Sequence, residues 1–213
     1  MRALGLLDRN PEAWREATRH PFLDAVRAGT MPAGAFQAWM AQDYLFAANL
    51  LVFQSRLLAR APRSGQAVLA SGLVAVEAEL GWFEGLAAER GLGLGEAPHP
   101  TTVAYRDFLL GLDPESYPAG ITALWALERA YLEAWSSAAP GHPDYREFVE
   151  HWTTPEFADY VNGLEESASS ALEKGDEREQ EQAETMFLEV TRLEKDFWEM
   201  AWAVTPQEPG SIG

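Results

Sequence analysis

The 213-residue chain has no cysteine, which removes disulfides, thiolate metal sites and cysteine nucleophiles together. Basic residues are scarce: 16 Lys and Arg stand against 33 Asp and Glu, a formal net charge of −17. Such a field repels phosphate backbones and anionic headgroups, so neither nucleic acid nor a membrane surface is an expected partner. No apolar run approaches the roughly 20 residues that span a bilayer. The N-terminus lacks the charged start and apolar stretch of a secretory signal, and the cytoplasm is the expected compartment. The Glu-x-x-His pairs, repeated on two helices, with which bundles hold two irons are missing. The Gly91-x-Gly93-x-Gly95 segment has neither the preceding strand nor the following lysine of a phosphate loop, and no strand-turn-helix elbow offers a serine nucleophile. No metal and no cofactor is expected.

Apolar residues, by contrast, are plentiful. They make up 47% of the chain, aromatics 11%, with eight Trp, which is enough for one large core with a cavity in it. No linker-like stretch divides the chain, so residues 1–205 read as a single domain and 206–213 as a frayed tail. Three- and four-residue spacing of apolar positions predicts an all-α chain of about seven or eight helices, with little β-branched alternation to suggest strands. Pro11 starts a short helix, and His20-Pro21 starts another that ends at Gly29. Pro32 opens a long one to about Ala61, and Ser64 can cap the next, to Gly91. Further helices are expected over about 101–110, 118–137 and 145–152. One from Thr154-Pro155 to about Lys174 and a last one from Asp176 to about Ala203 complete the set. The acidic run Glu177–Glu184 suits the first turns of that last helix, where negative charge favours the dipole.

An ionisable side chain inside an apolar stripe is costly to bury, and three acids stand in such positions. Asp43 follows Trp39 by four and Met40 by three. Glu128 follows Leu124 by four and Trp125 by three, and precedes Leu132 by four. Glu194 follows Val190 by four and precedes Phe197 and Trp198 by three and four. Each can be a core acid satisfied by a Tyr, Trp or backbone donor. Three on three long helices favour a pocket built from inward-facing side chains. Glu77 is a weaker fourth candidate, at the edge of its stripe with Glu79 and Glu84 nearby. Acid–base chemistry by carboxylates is what the residues leave open.

His20-Pro21-Phe22, then Trp39-Met40-Ala41-Gln42-Asp43-Tyr44, Tyr105, and Glu194-x-x-Phe197-Trp198 together resemble the TenA (thiaminase II) family, over about His20 to Trp202. The resemblance implies an all-α, haem-oxygenase-like fold and action on aminopyrimidines in thiamin salvage. It assigns Asp43 to the pyrimidine's amino group and ring nitrogen, and Glu194 to acid–base work. Tyr44, Phe46, Tyr105, Tyr131, Trp152 and Phe197 fall at pocket positions, Phe46 and Trp152 where the family has tyrosines. The family's cysteine nucleophile would fall near Leu127. Its absence makes the chain similar to a Cys-less branch, in which a glutamate, here Glu128, stands beside the missing thiol. The implied activity is hydrolysis at an aminopyrimidine or formylaminopyrimidine, releasing ammonia or formate. A non-catalytic pyrimidine binder acting indirectly in regulation, or a redox protein of the same fold binding haem, a quinone precursor or a metal, are the alternatives. Relatives of this kind assemble, so a dimer or tetramer is expected.

Overall fold

Prolines and short polar side chains set most of the helix starts. A computed structural model of the protein describes residues 1–32 and 34–203. Its elements are α1 (Leu4–Arg9), α2 (Pro11–Thr18), α3 (Pro21–Ala28), α4 (Ala35–Arg60), α5 (Arg63–Arg90), α6 (Pro100–Gly111), α7 (Tyr117–Ala138), α8 (Arg146–His151), α9 (Pro155–Lys174) and α10 (Glu177–Trp202), with no strand among the described residues. Proline occupies the first turn of α2, α3, α6, α7 and α9, where its missing N–H has no partner to lose. Side chains satisfy other first-turn amides: His20 Nδ1 accepts from Phe22 N–H at 3.1 Å, Thr154 Oγ1 from Phe157 N–H at 3.1 Å, and Asp176 forms a capping box with Glu179.

The starts differ from expectation where conformation intervenes. Gly34 adopts φ 83°, a left-handed turn that a helix does not run through, so α4 begins at Ala35 rather than Pro32. α5 begins at Arg63 after an extended Pro62 and has no side-chain cap, which leaves Ser64 inside the helix. The described residues form ten helices against the seven or eight expected: nine match the segments named from the sequence and α1 is the tenth, too short at six residues to carry a periodic signal. The expected tail, residues 206–213, lies outside the described residues.

α7 is the central helix. Every residue from Pro118 to Glu128 is buried, as are Ala130, Tyr131, Ala134 and Trp135, because α2, α3, α4, α9 and α10 pack around it. α4 lies against α5, α6 and α10, and α5 against α9. One continuous apolar core results, in which Trp39, Trp125, Trp135 and Trp198 are fully buried. Trp135 meets Trp39 at 5.2 Å and stacks on Trp152 at 4.9 Å, within the range where ring pairs add to the gain from burial. Trp135, Trp152 and Trp198 also pack against the ring of Tyr131 on α7. No helix among the described residues is long and apolar enough to cross a membrane.

Candidate active site

On α4 the spacing of Asp43, Phe46, Ala47 and Leu50 puts all four on one face. From α7 come Leu127, Glu128 and Tyr131. With Glu79 of α5, Trp152 after α8 and Phe157 of α9 they line an inner cavity of about 30 Å³. Four of them, Glu79, Glu128, Trp152 and Phe157, also line an outer cavity of about 740 Å³ between α5 and α9. The inner space is water-sized; the outer one has room for a ligand.

Each acid here is held by an aromatic donor. Tyr131 Oη donates to Asp43 Oδ2 at 2.7 Å, Tyr105 Oη to Glu194 Oε1 at 2.5 Å, and Trp152 Nε1 to Glu79 Oε1 at 2.8 Å. Glu128 has the Tyr160 hydroxyl beside it, which favours its charged form against burial. That hydroxyl accepts from Gln54 Nε2 at 3.1 Å, which leaves its own proton free to serve Glu128. Gln54 also donates to the Leu69 carbonyl at 3.0 Å. Gly72 makes this chain of contacts possible: a Cβ at that position would overlap both the Gln54 amide and the Tyr160 hydroxyl. α5 therefore needs its smallest residue where α4 and α9 reach across it.

The electrostatics follow from burial without a counter-charge. Asp43, Glu194 and Glu128 are 3%, 4% and 5% exposed, Glu79 is half-buried, and no basic side chain acts on any of the four. Loss of hydration disfavours the charged forms. It raises Glu79 and Glu194 to about 7 and Glu128 to about 8, the last also through the nearby charges of Glu79 and Glu194. Asp43 is pushed well above the usual carboxylate range by burial and then by Glu79, against the opposing hydrogen bond from Tyr131. Such carboxyls can hold or release a proton near neutral pH, as acid–base chemistry requires.

The residues singled out in the sequence land in three places. Asp43, Phe46, Glu128, Tyr131 and Trp152 line the inner cavity. Tyr105, Glu194 and Phe197 are not among its lining residues; they stand behind Phe46, whose ring is 4.7 Å from Tyr105 and 5.9 Å from Phe197. Tyr44 is not brought to the pocket, contrary to expectation. One residue beyond Asp43, it leaves the inner face by about 100°, and its hydroxyl donates to Glu84 at 2.9 Å on the exterior. Glu77 is exposed and lines neither cavity. Leu127, where the resemblance places a nucleophile, does face the inner space. Glu79 went unrecognised although a signal existed: it follows Val76 by three and precedes Phe83 by four, both buried. Gln54, Phe157 and Tyr160 were also missed; Gln54 continues the Asp43–Ala47–Leu50 face of α4. No group of three or more His, Cys, Asp or Glu among the described residues is placed to hold a metal ion.

Ten helices around a cavity walled by acids and rings define a haem-oxygenase-like helical bundle. Residues 7–203 match the TENA/THI-4/PQQC family. The chain belongs to that family. It is 31% identical to a probable bifunctional TENA-E protein of Glycine max, over 87% of this chain and 86% of the relative. It is 25% identical to the aminopyrimidine aminohydrolase of Halalkalibacterium halodurans, over 94% and 95%. The structure of a TenA homologue from Pyrococcus furiosus superposes with a TM-score of 0.91 at 33% identity, over 95% of this chain and 100% of the other. A TenA family structure from a Silicibacter species, at 20% identity and a TM-score of 0.87, shares the fold.

Proposed function

We propose that the protein is a hydrolase acting on a C–N bond of an aminopyrimidine in thiamin salvage, working by carboxylate acid–base chemistry without a thiol. The observation that carries this reading is the set of three carboxyl groups that line one cavity, Asp43, Glu79 and Glu128, with a fourth, Glu194, buried behind Phe46, each beside an aromatic donor and none neutralised by a base. A pyrimidine that carries an amino group beside a ring nitrogen presents a donor and an acceptor on one edge, and Asp43 at the deep end of the inner cavity can pair with it. At about 30 Å³ the inner space admits that edge and not a whole ring. Binding therefore takes room from the outer cavity, by outward movement of Trp152 or Phe157, the rings that line both.

Glu128 and Glu194 then divide the proton transfers. One carboxyl protonates the departing nitrogen while a carboxylate takes a proton from water, whose hydroxide replaces the nitrogen on carbon. Leu127 supplies no nucleophile, so water must attack. The name of the Halalkalibacterium relative supports this reaction class. The test is direct: the purified protein is incubated with 4-aminopyrimidines bearing an aminomethyl or formylaminomethyl arm, and ammonia and formate are measured. Release from either supports the reading; release from neither, with enzyme in stoichiometric amount, overturns it. We further expect the protein to work in the cytoplasm as a dimer or tetramer, as the family resemblance suggests. Light scattering over a tenfold dilution checks the assembly, and a mass of one chain throughout contradicts it.

A further inference from the structure

Gln54 takes no part in the proton transfers, yet it is the most deeply buried polar side chain of α4, at 0% exposed. Its Oε1 meets no donor among the described residues. A buried amide left half satisfied is costlier than a methionine or leucine that fills the same space, so the use of this residue lies in its nitrogen. That nitrogen donates to the Leu69 carbonyl of α5 at 3.0 Å and to the Tyr160 hydroxyl of α9 at 3.1 Å. The first contact fixes the second. A backbone carbonyl only accepts, so the amide cannot turn its oxygen toward α5 without setting acceptor against acceptor, and Tyr160 is always offered an N–H. A phenol that accepts on its oxygen keeps its proton to give, and Glu128 of α7 is the carboxyl group beside it. Gly72 leaves the room in which α4, α5 and α9 meet.

Glu128 needs such a donor. Around it stand Asp43 of α4, Glu79 of α5 and Tyr131 of its own helix, all on the inner cavity, and Glu194 of α10, whose charge reaches it. From α8 and α9, His151, Glu156, Asp159 and Tyr160 share the outer cavity with it, and His151 is held neutral because burial lowers it to about 4. No group of α2 or α3 and no Lys or Arg acts on it. Burial, then the charges of Glu79 and Glu194, raise Glu128 to about 8, and the Tyr160 hydroxyl works against them. Tyr131 gives its own proton to Asp43. A group that carries a proton in one step and lacks it in the next needs both forms within reach at one pH.

We propose that Gln54 is a positioning residue for Glu128, acting through Tyr160: by committing the Tyr160 hydroxyl to donate, it supplies ionised Glu128 with a hydrogen bond among other acids. The part of Glu128 in proton transfer rests on the hydrolase reading; the contact that Gln54 controls does not.

The experiment follows the Glu128 carboxyl by carbon-13 NMR of protein labelled at glutamate Cδ, its resonance identified by its absence in Glu128→Gln. Tyr160→Phe removes the donor and should raise the Glu128 midpoint by about one pH unit, the scale of one hydrogen bond to a charged group. Gln54→Met, close in shape but without the amide, should raise it by about half a unit or more, and Gln54→Glu, which accepts the Tyr160 proton, by at least as much. Where Tyr160→Phe is already present, Gln54→Met should add nothing, because its route to Glu128 is gone. With a 4-aminopyrimidine substrate, the limb of the pH–rate profile that Glu128→Gln abolishes should move by the same amount in Gln54→Met, while KM stays within several-fold. Thermal unfolding confirms that each variant folds, and Gln54→Leu replaces Gln54→Met if that variant does not. An unmoved midpoint in the folded Gln54 variants, or a Gln54→Met shift that persists in full without the Tyr160 hydroxyl, overturns the proposal. The titration needs no turnover: if the protein hydrolyses none of the pyrimidines, the hydrolase reading fails and the midpoints still decide the role of Gln54.

Discussion

Asp43 and the two glutamates that follow it in the chemistry do different work, and single substitutions separate them. Asp43→Asn keeps the shape of the side chain, but its carbonyl oxygen takes the Tyr131 hydroxyl as Asp43 Oδ2 does, which turns the amide NH2 toward the ligand's amino group and sets donor against donor. A buried donor left facing another donor costs about 1–3 kcal/mol, so pyrimidine affinity measured by calorimetry should fall roughly ten- to a hundred-fold. An unchanged affinity makes Asp43 a structural acid. Glu194→Gln and Glu128→Gln should each lower turnover about 100-fold or more while affinity moves by no more than several-fold. Glu194 does not line the inner cavity and Glu128 does, so Glu128 is the better placed to meet a departing group. Should Glu128→Gln keep full turnover, the proton transfer belongs to Glu194 or to Glu79.

At the scale of helices, legibility in the sequence depended on whether one helix carried the whole signal. Asp43, Glu128 and Glu194 each lie among aromatic or aliphatic neighbours three and four residues away on the same helix, so each announced itself. α5 is different. It carries Glu77, Glu79 and Glu84 around its stripe, and choosing Glu77 over Glu79 is a displacement of two residues, about 200° around the axis, which exchanges the buried face for the exposed one. Tyr44 was drawn in by a motif, although its neighbour Asp43 already occupies the inner face. Which donor serves which acid was not legible at all, because Tyr131–Asp43 joins α7 to α4, Tyr105–Glu194 joins α6 to α10, and Tyr160–Glu128 joins α9 to α7. Gly72 belongs to the same class of nonlocal fact: inside a helix it looks like a weak residue, and only the approach of Gln54 and Tyr160 explains it. Gly72→Ala should therefore destabilise the fold by about 1–3 kcal/mol, as overpacking does, instead of giving the gain that alanine brings to an open helix position. Denaturant unfolding measures it; a more stable variant means that α4 and α9 part freely there.

For the molecule as a whole, the buried acids couple stability to pH in a direction opposite to that of an ion-paired carboxylate. Glu79, Glu128 and Glu194 hold their protons up to about 7, 8 and 7 in the folded chain, whereas in the unfolded chain glutamate releases its proton near 4.3. Between those values the folded state binds more protons, so stability is greatest at the acid end of the window and falls as pH rises from about 5 to about 8. The melting temperature should decline over that range, and Glu128→Gln should flatten the decline by removing the group with the highest value. A melting temperature that rises from pH 5 to 8 shows that these acids are ionised in the folded chain. The −17 formal charge adds its own repulsion over the same range, and the difference between wild type and variant isolates the buried part.

The pairing of every site acid with a Tyr or Trp and none with a base has one more consequence. An aromatic donor can orient a carboxyl group without neutralising it, so the pocket is a small store of exchangeable hydrogen ions at neutral pH. A cationic guest does what the protein's own side chains do not, and its arrival should expel part of that store into the medium. The heat of binding at pH 7 should then change with the ionisation enthalpy of the buffer, and the slope counts the ions released. A heat identical in phosphate and Tris means that the guest enters a pocket already ionised.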